Sequence, residues 1–312
     1  MQLVEVPCPV CGSAAYRVAV PDTLGTKPPV FGYKWTPEVG KSYRFVRCCD
    51  CGHVYASPRL RDMYKYYVDN VDSAYLANAP LRVATARRVL EKIRQLQPGG
   101  RLIDVGCATG DFLAVAREYY DVEGLELSSW ARAEAERKGL KVRAELIADM
   151  TERDAFDVAT LWGVVEHLEY PLDEMQRLNR VLKPGGLICF WTGDVDNFLA
   201  RWFGRRWWYV MGQHTQMFSR SSLQRLMAAA GFRLVYRGNY PYVATLGYLG
   251  SRLDRYPIVG PALKRLFNLP VLSALTFPLI LPDEIFDIYR KVESVQSATP
   301  HPPAAKADLE RA

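Results

Sequence analysis

The eleven residues 102–112, with the sequence LIDVGCATGDF, constrain the fold of this chain more than any other segment. Their apolar start predicts a buried strand, and Gly106 and Gly110 predict a turn in which the backbone closely approaches a neighbour. Asp104 and Asp111 lie on either side of the turn. A phosphate-cradling loop needs bare amides or a lysine, so the two carboxylates favour a ligand with a cationic group and hydroxyls.

A second strand and a helix follow this turn. Residues 122–127 (VEGLEL) predict a strand that ends near Glu126, 22 residues after Asp104. In a doubly wound nucleotide-binding fold, an acid at this position can accept hydrogen bonds from both ribose hydroxyls. Residues 129–138 are rich in alanine and charge, and they predict a helix that Gly139 closes.

These segments resemble the class I S-adenosylmethionine (SAM)-dependent methyltransferases. The family's first motif, an acid followed by Gly-x-(Gly/Ala)-x-Gly, is filled here by Asp104, Gly106, Ala108 and Gly110. A dinucleotide-binding turn would need Gly-x-Gly-x-x-Gly, and this chain has Ala108 and Asp111 where the second and third glycines belong. The resemblance implies an α/β fold with a Rossmann-like sheet of seven strands, the last of them antiparallel.

Four later segments agree with the family in order and type. Residues 156–168 resemble its fourth strand and the following turn, and residues 180–190, with Pro-Gly-Gly at 184–186, resemble its entry into the fifth strand. Residues 232–236 predict the sixth strand, and the alternation in residues 284–290 predicts the antiparallel seventh.

The resemblance also assigns cofactor-binding residues. The glycine turn would lie against the amino-acid part of SAM, Asp104 would orient its amino group, and Glu126 would hold the ribose. Glu145 would bind the adenine amine, with Asp149 as the alternative, and Trp162 would lie near the transferred methyl. The complete set of cofactor-binding residues implied is Asp104, Gly106, Cys107, Gly110, Glu126, Leu127, Glu145 and Trp162.

Methyl transfer to an alcohol needs a proton acceptor, for which histidine has a suitable pKa. The chain has four histidines, and His214 and His167 are the candidate catalytic residues. His214 lies in a Trp-rich stretch that resembles the substrate side of related enzymes, whereas His167 belongs to a Val-Glu-His-Leu sequence common in the superfamily. Either could instead be structural. The candidate substrate residues are Asp194, Asn197, Trp207 and Trp208.

Two Cys-x-x-Cys pairs precede this region, Cys8/Cys11 and Cys48/Cys51. Two such pairs provide the four thiolates of a tetrahedral site that suits Zn²⁺, and a site closed by four protein ligands is structural. His53, two residues past the second pair, is expected to be an exposed residue of this zinc-ribbon-like module rather than a ligand.

The order of the segments resembles a subgroup of bacterial methyltransferases with an N-terminal zinc domain that modify sugars, lipids or secondary metabolites. We expect a zinc-binding module at 1–60, a helical linker or lid at 61–98, a SAM-binding core at 99–240 and a final strand at 284–292. Tyr64, Tyr66, Tyr67 and Tyr75 lie in the linker, either as packing between domains or as the lid. Residues 293–312 lack periodicity, and we expect disorder there.

The segment 241–283 is unusual for the family. It is strongly apolar, with Lys264 and Arg265 before its most apolar part, but too short and too proline-rich to span a bilayer. We expect a helical insertion that caps the core or forms a dimer face. The alternative is a peripheral membrane contact through residues 264–281 at the inner membrane face, which would reach a lipid-linked acceptor.

Composition restricts the function only weakly. The formal net charge is +6 with no long basic block, so nucleic acid is not singled out as a partner. No secretory signal pattern is present, and we expect a cytoplasmic enzyme. The sequence favours SAM-dependent O-methylation of a sugar, glycolipid or secondary metabolite. The alternatives are an rRNA or tRNA methyltransferase with a zinc-ribbon arm, a sugar C-methyltransferase and a non-catalytic cofactor-binding subunit.

Overall fold

The computed structural model describes residues 3–32, 36–68, 71, 73–253 and 260–292. The expected disordered tail, 293–312, lies outside the described residues. The strands are β1 (Tyr16–Val20), β2 (Phe45–Cys48), β3 (Val54–Ala56), β4 (Gly100–Val105), β5 (Tyr120–Leu125), β6 (Val142–Arg143), β7 (Phe156–Trp162), β8 (Leu182–Gly193), β9 (Gln216–Met217), β10 (Phe232–Gly238), β11 (Pro241–Thr245), β12 (Thr276–Ile280) and β13 (Glu284–Lys291). The α-helices are α1 (Ser73–Ala77), α2 (Ala79–Leu96), α3 (Asp111–Ala116), α4 (Ser129–Arg137), α5 (Pro171–Val181), α6 (Phe198–Phe203), α7 (Arg220–Ala229), α8 (Leu246–Arg252), α9 (Gly260–Phe267) and α10 (Pro270–Ser273). Short 3-10 helices cover Met63–Tyr66, Ile147–Asp149, Val165–His167 and Gly204–Arg206.

The central sheet has seven strands in the order β10-β13-β8-β7-β4-β5-β6. β13 pairs antiparallel with both β8 and β10, and the other neighbouring pairs are parallel. This is the predicted mixed seven-stranded sheet with an antiparallel last strand, and the prediction is confirmed.

The sheet is buried on both faces, as parallel strands require. Successive residues of β4 alternate between the two faces: Leu102 packs into the core formed with α2 and α3, and Ile103 into the core formed with α5 and α7. Ser219 accepts a hydrogen bond from the Ser222 amide and caps α7, and Gly139, at φ +72°, follows the end of α4. Because β4 to β8 run in the same direction, their carboxyl ends lie at one edge of the sheet.

The N-terminal segment is joined to this domain by a second sheet. Its order is β1-β2-β3-β9, so that β9, which lies beyond β8 in the chain, is the edge strand of the N-terminal sheet. His53 is completely buried rather than exposed, which corrects the expectation from sequence. Its ring nitrogens lie 2.9 Å from Gln216 Oε1 and 3.3 Å from Ser222 Oγ. The histidine is buried because the module packs against the core here.

The sequence had suggested a helical insertion between β10 and β13, but this segment also contains two strands. β11 pairs antiparallel with β12, from Pro241↔Ile280 to Thr245↔Thr276, and α8, α9 and α10 lie between the two strands. Some apolar residues there lie in paired strands and others in helices, and hydrophobicity alone does not distinguish the two in short apolar runs. Val271 and Leu266 remain exposed. Among the described residues, none of the helices combines the length and apolar character needed to cross a bilayer.

Candidate active site

A cavity of about 1110 Å³ opens beside the carboxyl ends of the parallel strands. In open α/β sheets, ligands bind at this edge because the turns after the strands converge there. Eleven of the fourteen residues predicted to bind the cofactor, contact the substrate or act in catalysis line it: Asp104, Gly106, Cys107, Glu126, Leu127, Glu145, Trp162, His167, Trp207, Trp208 and His214.

The turn after β4 passes close to its neighbours. Gly106 has φ +68°, and a Cβ there would lie 2.7 Å from Val164 Cγ2, so only glycine fits. Ala108 also adopts a left-handed conformation, with φ +47°. Gly110 does not line the cavity: a Cβ there would meet Leu140 Cδ1 and Ala135 Cβ, so this glycine serves packing against α4. The expectation that Gly110 contacts a cofactor is therefore not supported.

Glu126, just past β5, holds the turn in place. Its Oε2 accepts a hydrogen bond from the Ala108 amide at 2.9 Å, and its Oε1 accepts one from the Ser128 amide at 2.8 Å. Each carboxylate oxygen retains a second lone pair for a ligand in the cavity. Burial raises the pKa of Glu126, and these backbone donors oppose the increase.

Asp104 is a deeply buried acid of the cavity wall. It is 1% exposed, and it accepts a hydrogen bond from Thr160 Oγ1 at 2.6 Å. Burial raises its pKa to about 8, with Glu126 adding a smaller repulsion. A cationic group in the cavity would favour the ionised form.

Asp111 has a different role from Asp104, although both bracket the same turn. Its carboxylate pairs with Arg82 at 2.7 Å and with Lys138 at 2.5 Å. Arg82 also stacks over the Tyr75 ring at 3.5 Å. The positive side chains of the protein itself thus neutralise Asp111, and it holds α2 and Tyr75 against the N-terminus of α3.

Glu145 and Trp162 both line the cavity. Glu145 accepts a hydrogen bond from Arg143 at 2.5 Å, and its alternative Asp149 is not among the lining residues. The Trp162 ring packs against Phe112 at 5.1 Å and Tyr240 at 5.8 Å between ring centroids. Trp162 therefore forms part of an aromatic wall next to the turn after β7.

A polar cluster lies farther along the same wall. Glu166, His167 and His214 each place one potential ligand atom within 4.8 Å of the others. Glu166 accepts a hydrogen bond from Thr192 Oγ1 at 3.1 Å. Burial raises the pKa of Glu166 to about 7 and lowers the pKa of His167 to about 4. The sequence had named the two histidines but missed Glu166, although it directly precedes His167.

The two histidines are oriented by backbone carbonyls. His214 Nδ1 lies 2.8 Å from the carbonyl oxygen of Tyr209, and His167 Nδ1 lies 3.0 Å from that of Gln213. Since a carbonyl only accepts, Nδ1 of His214 donates, which leaves Nε2 as the basic nitrogen of that ring. The Tyr67 hydroxyl lies 2.6 Å from His167 Nδ1, so the linker segment closes over this end of the cavity.

The four residues predicted to contact a substrate separate into two pairs. Trp207 and Trp208 line the cavity, and both indole Nε1 groups donate to Asp283 Oδ2, at 2.6 and 2.8 Å. Asp194 and Asn197 do not line it. Asp194 faces Arg220 at 3.5 Å, and Asn197 caps α6, so both have structural partners and their role in substrate binding stays a prediction.

Several cavity residues carried no sequence signal. Tyr240 and Tyr242 are aromatic neighbours of Trp191, at 5.1 and 5.6 Å, and Glu284 begins β13. Glu284 is 1% exposed, and burial raises its pKa well above the usual range. These residues come from β8, from β11 and the residue before it, and from β13, and they become neighbours only in the folded protein.

The four cysteines of the N-terminal segment converge. Cys8 Sγ lies 3.5 Å from Cys51 Sγ, and Cys11 Sγ lies 3.6 Å from Cys48 Sγ. All four sulfurs lie within 4.8 Å of one another. Four thiolates about 2.3 Å from a tetrahedral Zn²⁺ would lie about 3.8 Å apart, so the cluster fits this ion.

Comparison with known families identifies the central region. The family model described as "Methyltransferase domain" matches residues 75–237, more than half of the chain. The match includes the turn after β4, the acid after β5 and the cluster that contains His167 and His214.

Curated relatives match over a shorter part of the chain. The ubiquinone biosynthesis O-methyltransferase of Roseobacter denitrificans is 38% identical over 103 residues, 29% of this chain and 40% of that protein. The protein of the same name from Cereibacter sphaeroides is 33% identical over 156 residues, 45% of this chain and 62% of that protein. The chain therefore spans less than two thirds of the length of either relative.

Solved structures resemble the chain at low sequence identity. The 1,6-didemethyltoxoflavin-N1-methyltransferase of Burkholderia thailandensis has a TM-score of 0.48 and 17% identity, and the match covers 78% of this chain and 98% of that one. A SAM-dependent methyltransferase of Thermotoga maritima has a TM-score of 0.48 and 19% identity, with 75% and 97% covered.

Proposed function

The chain belongs to the methyltransferase-domain family and is a class I SAM-dependent methyltransferase, and on that premise we propose that it methylates a hydroxyl group of a small-molecule acceptor. One observation carries this proposal: a histidine–carboxylate cluster able to activate a hydroxyl lies in the same cavity as the acids suited to the cofactor. The relatives that share the domain are named as O-methyltransferases, which agrees with it.

We propose that the acids at the strand ends bind the polar groups of the cofactor. When bound, SAM supplies a methyl group on a positively charged sulfur. Glu126, with a free lone pair on each oxygen, would accept hydrogen bonds from the ribose hydroxyls, and Asp104 would face the cationic amino group. Gly106 and Leu127 line the cavity between them, and Glu145 remains our candidate for the adenine amine.

We assign hydroxyl activation to Glu166, His167 and His214. In the simplest form His214 accepts the proton at Nε2, because its Nδ1 hydrogen is engaged by a backbone carbonyl. Burial lowers the pKa of His167 to about 4, which makes this histidine a weak base. Alignment of the acceptor oxygen with the methyl group and exclusion of water would contribute most of the remaining rate enhancement.

We propose that the part of the acceptor that is not methylated packs against the aromatic wall. Trp162, Trp191, Tyr240 and Tyr242 form contiguous ring contacts with centroid distances of 4.9 to 5.8 Å. Such a wall packs well against the face of a ring, whether aromatic or that of a sugar. We therefore propose a cyclic acceptor, and the expected sugar, glycolipid or secondary metabolite all remain within this class.

We also infer that the four-cysteine cluster holds a structural Zn²⁺. The sulfur separations of 3.5 and 3.6 Å support this ion, and four protein ligands leave no position for chemistry. The ion would stabilise the segment whose last strand pairs with β9.

Label transfer tests the proposal. Purified enzyme with methyl-labelled SAM is offered separate RNA, lipid and small-metabolite fractions, and alkali-stable label in a lipid or metabolite ether is the expected result. A Glu126→Ala variant, which should not bind the cofactor, controls for unspecific labelling. Label in RNA alone, or on carbon or nitrogen of the product, would refute O-methylation of a small molecule.

A further inference from the structure

Glu284 is a buried carboxyl group in the cavity wall, and the described part of the chain offers it no hydrogen-bond partner. The residue is 1% exposed, and neither Oε1 nor Oε2 takes part in a hydrogen bond with any described residue. Burial raises the pKa of Glu284 well above the usual range, and Asp283 adds to this increase. A buried polar group without a partner destabilises a folded protein. Its place in a cavity wall therefore points to a ligand that supplies the missing hydrogen bonds.

The backbone holds Glu284 in one position. It is the first residue of β13, and it lies opposite Gly193 of β8. Its carbonyl oxygen accepts hydrogen bonds from Arg220 Nη2 at 2.9 Å and from Asn239 Nδ2 at 3.2 Å. Because the sheet and these two donors fix the backbone, the carboxyl group is pre-organised for a ligand in the cavity.

Two indole N–H groups in the same wall also lack a partner. Nε1 of Trp162 and Nε1 of Trp191 are buried, and neither donates to any residue that the structure describes. The two residues are partners in the register of β7 and β8. The Trp191 indole and the Tyr242 hydroxyl lie near enough to Glu284 to oppose the rise in its pKa, but neither forms a hydrogen bond with it. The wall thus offers buried donors as well as a buried carboxyl group.

This combination favours a hydroxyl group as the ligand. A hydroxyl can donate to a carboxyl oxygen and can also accept from an indole N–H. A cationic amine has no lone pair with which to accept from the indoles, and the adjacent acids Asp283 and Glu284 disfavour an anion. Asp283 Oδ1 is a further buried oxygen without a partner among the described residues.

We propose that Glu284 and Trp191 bind a second hydroxyl group of the acceptor, one that is not methylated. The inference rests on the proposed function, because it takes a methyl acceptor as the occupant of the cavity. It narrows the acceptor from any cyclic molecule to a ring with at least two hydroxyl groups, either aromatic or saturated. Glu284 and Asp104 each raise the pKa of the Tyr240 hydroxyl, so this contact lies in electrostatic reach of the same tyrosine as the acid proposed to face the cofactor.

Saturation-transfer difference NMR with pairs of small rings tests the contact. The pairs are catechol against phenol, and vicinal trans-cyclohexanediol against cyclohexanol. Each pair differs by one hydroxyl group, and the two pairs represent aromatic and saturated rings. A hydroxyl that makes two hydrogen bonds in a buried site should strengthen binding about 5- to 150-fold. We expect this preference for the diol in at least one pair with wild-type protein saturated with S-adenosylhomocysteine, and the pair that shows it identifies the kind of ring.

Three variants separate recognition from a structural role. Glu284→Met nearly keeps the volume of the side chain but forms no such hydrogen bond, and it should abolish the preference for the diol. Glu284→Gln, which still accepts and donates, should retain part of it. Because Glu284 has no described partner to lose, the urea unfolding midpoint of Glu284→Met should equal or exceed that of the wild type. Asp154→Asn is the matched control, because this exposed carboxyl pairs with Lys291 at the other end of β13; it should leave the preference unchanged.

The outcomes distinguish this proposal from the proposed function. Equal binding of both members in both pairs by the wild type would overturn the proposal, and so would an unchanged preference in folded Glu284→Met. The diol preference is measured without turnover. Label on carbon or nitrogen in the transfer experiment, or failure to bind S-adenosylhomocysteine, would instead contradict the proposed function.

Discussion

Replacement of Glu126 tests the cofactor assignment most directly. The carboxylate accepts one backbone hydrogen bond on each oxygen, from Ala108 and Ser128, and it faces the cavity. Glu126→Ala removes both oxygens and leaves two buried amide groups without their acceptor. Glu126→Gln keeps the shape but turns one acceptor oxygen into a donor, which faces an amide hydrogen.

The expected effect on binding follows from the hydrogen bonds lost. Hydrogen bonds to a charged group contribute about 1.5 to 3 kcal/mol each. Loss of one ribose contact in Glu126→Gln should therefore weaken S-adenosylhomocysteine binding about 10- to 150-fold, at about 1.4 kcal/mol per tenfold change. Loss of both contacts in Glu126→Ala corresponds to about 3 to 6 kcal/mol, or about 10² to 10⁴-fold.

Isothermal titration calorimetry with S-adenosylhomocysteine measures these losses, and thermal melts show whether the variants are folded. Glu118→Gln is the matched control, because this exposed carboxyl pairs with Arg87 on the outer surface. If folded Glu126→Ala binds within about threefold of the wild type, less than about 0.7 kcal/mol, then Glu126 does not hold the ribose.

Three further predictions concern other parts of the molecule. Burial raises the pKa of Asp104 to about 8, so a cationic ligand must displace the proton of this carboxyl group below that pH. The affinity for S-adenosylhomocysteine should therefore rise between pH 6 and 8 by up to about tenfold per pH unit and then level off. Calorimetry should show no such rise for Asp104→Asn. Gly106→Ala combines a left-handed φ with a Cβ 2.7 Å from Val164, and it should lower the free energy of unfolding in urea by about 2 to 5 kcal/mol. Gly139→Ala has φ +72° but open space around the Cβ, and it should lower that free energy by only about 1 to 2 kcal/mol. Equal losses of stability in the two variants would contradict the steric argument. Cys11→Ser should abolish bound zinc measured by mass spectrometry, whereas a variant that keeps full zinc content would show that the cluster does not bind the ion.

The fold was predictable in detail because its signals are local. The apolar run before Gly106 and the acid at Glu126 each specify a strand end or turn within a few residues, and the Pro-Gly-Gly sequence at 184–186 lies near the start of β8. The order of these signals indicated the seven-stranded sheet. The segment 241–283 was less predictable because short apolar runs satisfy a helix and a strand equally well.

The site was predictable only in part. The acid near the end of β4 and the acid directly after β5 could be placed, because the end of a parallel strand determines where the neighbouring side chains lie. Asp194 and Asn197 also follow a strand, yet Arg220 and the start of α6 engage them instead. No sequence pattern marked Glu166 as a site residue, apart from its position next to His167.

The sequence by itself determined the class of protein: the order of its strands, the turn that accepts a cofactor and the paired cysteines are all encoded in short stretches. The tertiary structure decided which polar groups meet. Glu166 and His214 are far apart in the chain, and the segment just before β9 meets Glu166, where the Thr215 amide donates to the Glu166 carbonyl oxygen at 2.8 Å. The physical reason is that burial, tautomer and pKa depend on neighbours brought from distant strands, so no local pattern can specify them.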